Sequence, residues 1–209
     1  HAPSDEKYYK RIYYHVLGQP ILEDKVFFHG KFTKDDWPSF GRSHDGRYQI
    51  VTISHHTNKT TTVYFRDLEN HNSKFINITA GIKAMSFAKA EDGYIYLVTD
   101  HNAPNRKILR RKILPNSLSQ WENFVKEAKF KLANNILLKK YFMLEYIENV
   151  SSKLYLLNLE NKKKRTIPLP SLGSASGDST EYGSNELFYG FSSLNSLFNS
   201  GKFCSRVPL

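Results

Sequence analysis

The sequence has little cysteine and no long apolar run. Cys204 is the only cysteine, which excludes an internal disulfide framework and fits a reducing compartment such as the cytoplasm. No window approaches the roughly eighteen consecutive apolar residues that a membrane span needs. The first residues, 1–10, are polar, whereas a secretory leader would be apolar. We therefore expect a soluble cytoplasmic protein without a membrane partner.

The residue patterns of common catalytic and metal sites are also lacking. A nucleophile elbow needs G-x-S-x-G, because its strained turn exposes the serine oxygen, and the nearest string, 173–177, has Ala175 at the serine position. His55 and His56 have no second ligand pair at zinc-like spacing, so we interpret them as surface loop histidines. Cys204 has no recognisable partner residues. We expect no catalytic residue, no metal and no cofactor.

The charge is strongly positive, with a formal net charge of +10 and a pI near 9.5. Clustered Lys and Arg could neutralise nucleic-acid phosphates. The basic run 162–165, however, lies where the chain must turn, and the basic residues at 107 and 110–112 fall on both faces of a predicted strand. Because such runs usually mark exposed turns and edges, we favour a solvated surface and do not expect a nucleic-acid partner.

The sequence does predict many short β-strands. Short runs rich in aromatic and β-branched residues are bounded by Asp, Asn, Gly and Ser, which is typical of antiparallel sheets. Trp121–Leu138 fits either one helix or two strands. The clearest strand runs are Tyr48–Ile53, Thr61–Phe65, Tyr94–Val98, Tyr141–Tyr146, Leu154–Leu157 and Leu187–Phe191.

These strands recur with a fixed period. YFRDLEN at 64–70 returns as YLLNLEN at 155–161, a separation of 91 residues. The aromatic residues that open successive strands, Tyr48, Tyr94, Tyr141 and Phe188, are 46, 47 and 47 residues apart. A period near 45 residues with about four short strands is typical of a β-propeller blade. We predict an all-β fold, a partial β-propeller of about four blades, each a four-stranded antiparallel sheet.

Three motifs in the first quarter of the chain then indicate a family. YYHVLG at 13–18, Glu23-Asp24 and SHDGRY at 43–48 resemble, in order and spacing, the prolyl oligopeptidase (prolyl endopeptidase) family. Later stretches, 99–105, 155–159 and 187–193, are similar to further segments of that family. The resemblance covers 11–193, which we predict as the propeller domain, preceded by a polar segment, 1–10, and followed by an atypical tail, 194–209.

The resemblance implies a serine peptidase that cleaves after proline. In that family an α/β-hydrolase domain carries Ser, Asp and His, and a seven-bladed propeller covers the active site and admits only short peptides. This chain carries the propeller part alone, so we expect a truncated gene product or an excised domain without activity of its own. Its expected partners are short peptides or a hydrolase domain. The alternative is a stand-alone module that binds a protein or a nucleic acid.

The resemblance also suggests residues close to a peptide substrate. Phe28 or Phe32, near Trp37, lies about where the family places an aromatic residue of a substrate subsite. His101 and Asn105 belong to a loop, 100–105, on the same entrance side. Under the alternative interpretation Phe28 and Trp37 are core residues and the loop is only a turn, because large aromatic side chains usually fill cores.

Four blades cannot close a ring of seven. The open ends would leave strand edges unpaired, and such edges promote association. We expect no strand after the apolar pair 197–198. The tail could plug the open side of a monomer, but we favour self-association of two chains through their open blade edges.

Overall fold

A computed structural model describes residues 8–70, 73–115, 117–178, 186–193 and 203–208, with only the backbone described for 178 and 203–208. The chain forms two compact units, one of residues 1–103 and 107–126 and the other of 104–106 and 127–209. In the described residues the only helix is a 3-10 turn, Ile21–Glu23. Those residues contain no helix long and apolar enough to cross a bilayer.

The first unit contains a two-stranded ribbon and two antiparallel sheets. In the first sheet, β3 to β6 are hydrogen-bonded in sequence order, and in the second, β7, β8 and β9 follow one another while β10 and β11 both pair with β9. The strands are β1 (Tyr13–Tyr14), β2 (Lys25–Val26), β3 (Asp36–Arg42), β4 (Tyr48–His55), β5 (Thr60–Asp67), β6 (Ile76–Asn77), β7 (Ser86–Glu91), β8 (Tyr94–Thr99), β9 (Lys107–Leu114), β10 (Ser117–Leu118) and β11 (Glu122–Val125).

The second unit contains two further antiparallel sheets, again in sequence order. The stretch 121–138, which fitted a helix or two strands, forms two strands, β11 and β12. A strand also follows residue 198, so our expectation of none was wrong. The strands of this unit are β12 (Lys131–Leu137), β13 (Tyr141–Glu148), β14 (Ser151–Asn158), β15 (Lys164–Ile167), β16 (Ser174–Asp178), β17 (Glu186–Ser192) and β18 (Phe203–Pro208).

The predicted period corresponds to one sheet per repeat. Tyr48, Tyr94 and Tyr141 are the first residues of β4, β8 and β13, the second strand of their sheets, and Phe188 is the third residue of β17. Gly46 and Gly93, in the turns before β4 and β8, both have φ near +78°, a backbone conformation that glycine adopts without steric cost. The four described sheets therefore confirm the predicted four repeats.

The repeated phrase marks the end of the third strand and its turn. Asp67 pairs with Tyr48 in the first sheet, as Asn158 pairs with Tyr141 in the third. Oδ1 of Asp67 accepts a hydrogen bond from the Glu69 amide at 3.1 Å, and Oδ1 of Asn158 accepts one from the amide two residues on at 2.9 Å. A short side-chain oxygen at this position holds the turn in each case.

A second pair of equivalent residues, Thr61 and Ser152, links neighbouring sheets within each unit. Both are buried near the start of the third strand. Oγ1 of Thr61 accepts a hydrogen bond from the Ser86 amide at 2.7 Å. Oγ of Ser152 accepts one from the Ala175 amide at 2.9 Å. Since Ser86 and Ala175 lie on the first strand of the following sheet, a hydroxyl joins adjacent sheets at each place.

Apolar residues fill the space between the sheets of each unit. Alternate residues of β5, such as Val63 and Phe65, are buried, as period-two strands with one covered face require. The main core of the first unit consists of Tyr48, Ile50, Val63, Phe65, Ile78, Ala90, Ile95, Leu97 and Leu109. That of the second unit consists of Ile136, Leu138, Met143, Leu154, Leu156, Ile167, Ala175, Leu187, Tyr189 and Phe191.

Candidate functional site

Phe28 and Phe32 lie together, with Phe28 inside a small core cluster and Phe32 packed against that cluster. Phe28 is 4% exposed and packs with Val51 and Ile53. Its ring centroid is 5.9 Å from that of Phe32, which is partly buried. A Cβ placed on Gly30 would overlap the Phe28 ring at 2.1 Å, so the chain passes tightly over this ring. Phe32 is thus the more accessible of the two rings, and the substrate contact of either stays a prediction.

Trp37 is different because its side chain is 51% exposed. It follows the buried Asp36 at the start of β3, and alternation along a strand turns it outward. Nζ of Lys10 lies 2.8 Å from the Trp37 ring centroid, and the His56 ring packs against it edge-on at 5.7 Å. The structure therefore does not place Trp37 in the core, and about half of its side chain is open to solvent beside Lys10 and His56.

A polar network fixes the start of β3 beneath Trp37. Nδ1 of His55 lies 2.7 Å from Oδ1 of Asp36, and Nε2 of His55 lies 2.8 Å from the Thr62 hydroxyl. The Thr33 amide donates to the other Asp36 oxygen at 2.7 Å. Burial raises the pKa of Asp36, but the hydrogen bonds from Thr33 and His55 outweigh it, so this pKa lies below its ordinary value.

The interpretation of His55 as a surface loop residue was therefore wrong. His55 is the last residue of β4, directly opposite Asp36, and its side chain is only 25% exposed. The order carboxylate, imidazole, hydroxyl is that of a catalytic triad. Thr62, however, lies inside β5, where it pairs with Ile53. We assign the network to holding β3 and β4 in register.

The loop after β8 is fixed by backbone contacts around Asp100. Oδ1 of Asp100 accepts a hydrogen bond from the Met85 amide at 2.8 Å. The Ala103 amide donates to the Asp100 carbonyl at 3.0 Å, and the His101 amide donates to the Thr99 hydroxyl at 3.1 Å. The His101 ring is half-buried. The segment is thus an ordered turn, and whether it contacts a peptide stays a prediction.

Asn105 belongs to the second unit, where its donors are engaged. Its amide donates to Oε1 of Glu127 at 2.6 Å. Its side-chain nitrogen donates to the carbonyls of Ala128 and Lys129 at 3.2 and 3.1 Å. These contacts tie Asn105 to the segment before β12. Of the predicted site residues, the structure therefore brings Phe28 and Phe32 into contact, while Trp37 and His101 lie on separate elements of the first unit.

The segment that comes nearest to a nucleophile elbow is a strand. Ser174–Asp178 form β16, which pairs with β17, and Ala175 is buried. An elbow requires a sharp turn between a strand and a helix. Within the described residues no three His, Cys, Asp or Glu side chains are grouped as metal ligands would be.

Comparisons with known protein families and with curated proteins point to one family. A family model described as the N-terminal β-propeller domain of prolyl oligopeptidase matches residues 1–196. The prolyl endopeptidases of Elizabethkingia meningoseptica and Elizabethkingia miricola are each 27% identical over 182 residues, which is 87% of this chain and 25% of theirs. The chain thus spans about a quarter of the length of these curated relatives.

Solved structures show the same fold. A prolyl endopeptidase solved in a study of inter-domain dynamics in catalysis and specificity aligns with a TM-score of 0.82 at 23% identity, over 98% of this chain and 29% of that one. Prolyl oligopeptidase B from Galerina marginata, bound to a 35mer hydrolysis and macrocyclization substrate, aligns with a TM-score of 0.84 at 19% identity, over 99% and 29%. The fold is that of the family's β-propeller.

Proposed function

Because the chain belongs to the prolyl oligopeptidase family through its N-terminal β-propeller domain, we propose that it controls which peptides reach a catalytic α/β-hydrolase domain. Ser, Asp and His of that domain carry out the cleavage after proline, and the propeller admits short peptides. The compartment that suits this role is the reducing cytoplasm, in which Cys204 stays a thiol. Alone, the chain leaves proline-containing peptides uncut.

The observation that carries the proposal is the exposed ring of Trp37. Proline-containing segments in an extended conformation dock on aromatic surfaces, where the rigid pyrrolidine ring packs at low entropic cost. The backbone that carries Trp37 is fixed by the contact between the neighbouring Asp36 and His55. Phe32 and His101 are the further contacts that the family resemblance suggests. The peptide contact is therefore centred on the outward face of β3.

Intrinsic fluorescence tests this contact, because the chain has only two tryptophans, Trp37 and Trp121. Trp121 packs against the core of the first unit and beneath Arg111. Titration with a proline-containing octapeptide is expected to change the emission of wild type and of Trp121→Phe, but not of Trp37→Phe. An octapeptide with alanine in place of proline is the matched control and is expected to bind more weakly.

The opposite assignment would remove the proposal. If the emission change survives Trp37→Phe and disappears in Trp121→Phe, peptides bind elsewhere on the chain. If neither variant nor wild type responds at millimolar peptide, the outward face of β3 is not a peptide contact.

A further inference from the structure

Two basic turns, distant in sequence, meet at one end of the sheet formed by β12 to β15. Lys139 and Lys140 precede β13, and the second turn, 159–163, joins β14 to β15. The Leu159 amide donates to the Lys140 carbonyl at 2.9 Å, and the neighbouring Asn158 amide donates to the Lys163 carbonyl at 2.9 Å. The two turns are therefore adjacent, within about two inter-strand spacings of ~4.8 Å each.

In the two turns and the first two residues of β15, basic residues outnumber acidic ones six to one. Six basic residues are exposed there, and Glu160 is the acidic residue of the two turns. We call this set the basic end of the third sheet. Because the screening length is about 8 Å at physiological salt, charges this close together act on a ligand jointly. The basic residues are Lys139, Lys140, Lys162, Lys163, Lys164 and Arg165.

The backbone that carries these cations is well fixed. Oδ1 of Asn158 accepts hydrogen bonds from the amides of Glu160 and Asn161 at 2.9 and 3.0 Å. The Lys162 amide donates to the Asn158 carbonyl at 3.1 Å, and Lys162 has a φ of +58°, which the tight turn imposes. The lysine stems thus project from a defined turn, which lowers the entropic cost of binding.

We propose that the basic end of the third sheet binds an acidic segment of a polypeptide. Charge complementarity favours an anion with several carboxylates at close spacing. Single-stranded nucleic acid is less suited, because its bases stack on aromatic rings. The rings beside this end already carry cations, with Arg165 5.8 Å from the Tyr141 centroid and Lys164 4.3 Å from that of Tyr155. The proposal is independent of the peptide contact at Trp37.

Fluorescence anisotropy with a labelled deca-glutamate tests the proposal on the full chain. We expect saturable binding at about 50 mM NaCl and several-fold weaker binding at about 200 mM, because salt screens exposed charges. The double variant Lys139→Glu/Lys163→Glu replaces one cation in each turn and is expected to bind deca-glutamate at least about tenfold more weakly than wild type. Lys139→Gln/Lys163→Gln is expected to show an intermediate loss.

The matched control is Lys31→Glu/Lys83→Glu, which makes the same change in net charge at exposed lysines of the first unit. It is expected to bind deca-glutamate within about twofold of wild type, since surface charges far from a ligand contribute little. Equal weakening by the control would overturn the proposal, because binding would follow net charge alone. Tighter binding of labelled oligothymidine than of deca-glutamate, lost in Lys139→Glu/Lys163→Glu, would overturn it in favour of nucleic acid.

Discussion

Replacing Ser152 by alanine tests how neighbouring sheets are joined in the second unit. The Ser152 hydroxyl accepts a hydrogen bond from the Ala175 amide at 2.9 Å and donates one to Oε1 of Glu145 at 2.8 Å. All three residues are less than 10% exposed. Water therefore cannot replace the lost partner without opening the structure.

The magnitude follows from these two contacts. A buried amide left without an acceptor costs about 1–3 kcal/mol, and the loss of a hydrogen bond to a buried carboxyl adds about 1 kcal/mol. We expect Ser152→Ala to lower the free energy of unfolding by about 2–4 kcal/mol. With a denaturant dependence of about 2–3 kcal/mol/M, the urea midpoint falls by roughly 1 M.

Urea unfolding followed by circular dichroism measures this change, and hydrogen exchange at the Ala175 amide reports the site itself. Ser151→Ala is the matched control, because Ser151 is the preceding, half-buried residue of β14, and it is expected to cost under about 0.5 kcal/mol. If the two variants unfold at the same urea concentration and the Ala175 amide keeps its protection, the hydroxyl does not join the sheets.

Three further changes address charge and association. Burial raises the pKa of Glu145 above its ordinary 4.5, and the hydrogen bonds from Ser152 and Asn134 oppose this shift. The folded state therefore holds the Glu145 proton more tightly than the unfolded state, and stability falls as the pH rises from 4.5 through the raised pKa. Glu145→Gln should lack this loss in thermal unfolding between pH 4 and 8, whereas wild-type and variant curves that run parallel would contradict the assignment. The hydrogen bond from Arg47 lowers the pKa of Asp67 despite burial. The stabilisation that the Asp67 carboxylate contributes is therefore present above pH 3.8 and is lost as the pH falls through the lowered pKa. Asp67→Asn keeps a side-chain oxygen that can accept the turn hydrogen bond, as Asn158 does in the third sheet. It should lower the free energy of unfolding by about 1 kcal/mol at neutral pH and by less in acid, whereas an equal loss at every pH would contradict this assignment. Association through open blade edges should appear in light scattering at micromolar concentration, and a wild-type monomer throughout that range would refute it. Leu17 and Leu22 are 92% and 98% exposed, and Leu22→Ser is expected to weaken the association because it removes apolar surface.

The strands were predictable from the sequence because their signals are local. Runs such as YQIVTI and YIYLV combine aromatic and β-branched residues between turn residues, and each forms a strand, β4 and β8. The ends of the strands were predicted less accurately. β14 spans Ser151–Asn158 where the apolar run suggested Leu154–Leu157, because its pairing with β13 continues through polar residues that carry no apolar signal.

Contacts that depend on register were not predictable. His55 meets Asp36 because β3 and β4 pair in a register that places these residues opposite each other, 19 positions apart. A buried aspartate at the start of a strand has no apolar signal, so the outward direction of Trp37 could not be derived from the pattern. In the same way, the basic run 162–165 suggested only a solvated turn, and the pairing of β13, β14 and β15 is what brings Lys139 and Lys140 to the same end of the sheet.

The most direct test of the account is a chimeric peptidase in which this chain replaces the matching quarter of the Elizabethkingia meningoseptica prolyl endopeptidase. Labelling by a serine-directed phosphonate first establishes that the catalytic serine is active. The measurement is the ratio of kcat/KM for a proline-containing octapeptide to that for a folded protein carrying the same sequence in an exposed loop. Because a 35mer is bound by one relative, the second substrate is a folded protein rather than a longer peptide. We predict rapid cleavage of the octapeptide and at least about a hundredfold slower cleavage of the folded protein, because the propeller keeps a folded substrate from reaching the active site each time the two proteins meet. Equal kcat/KM values for the two substrates in a phosphonate-reactive chimera would contradict the proposal that this chain controls access.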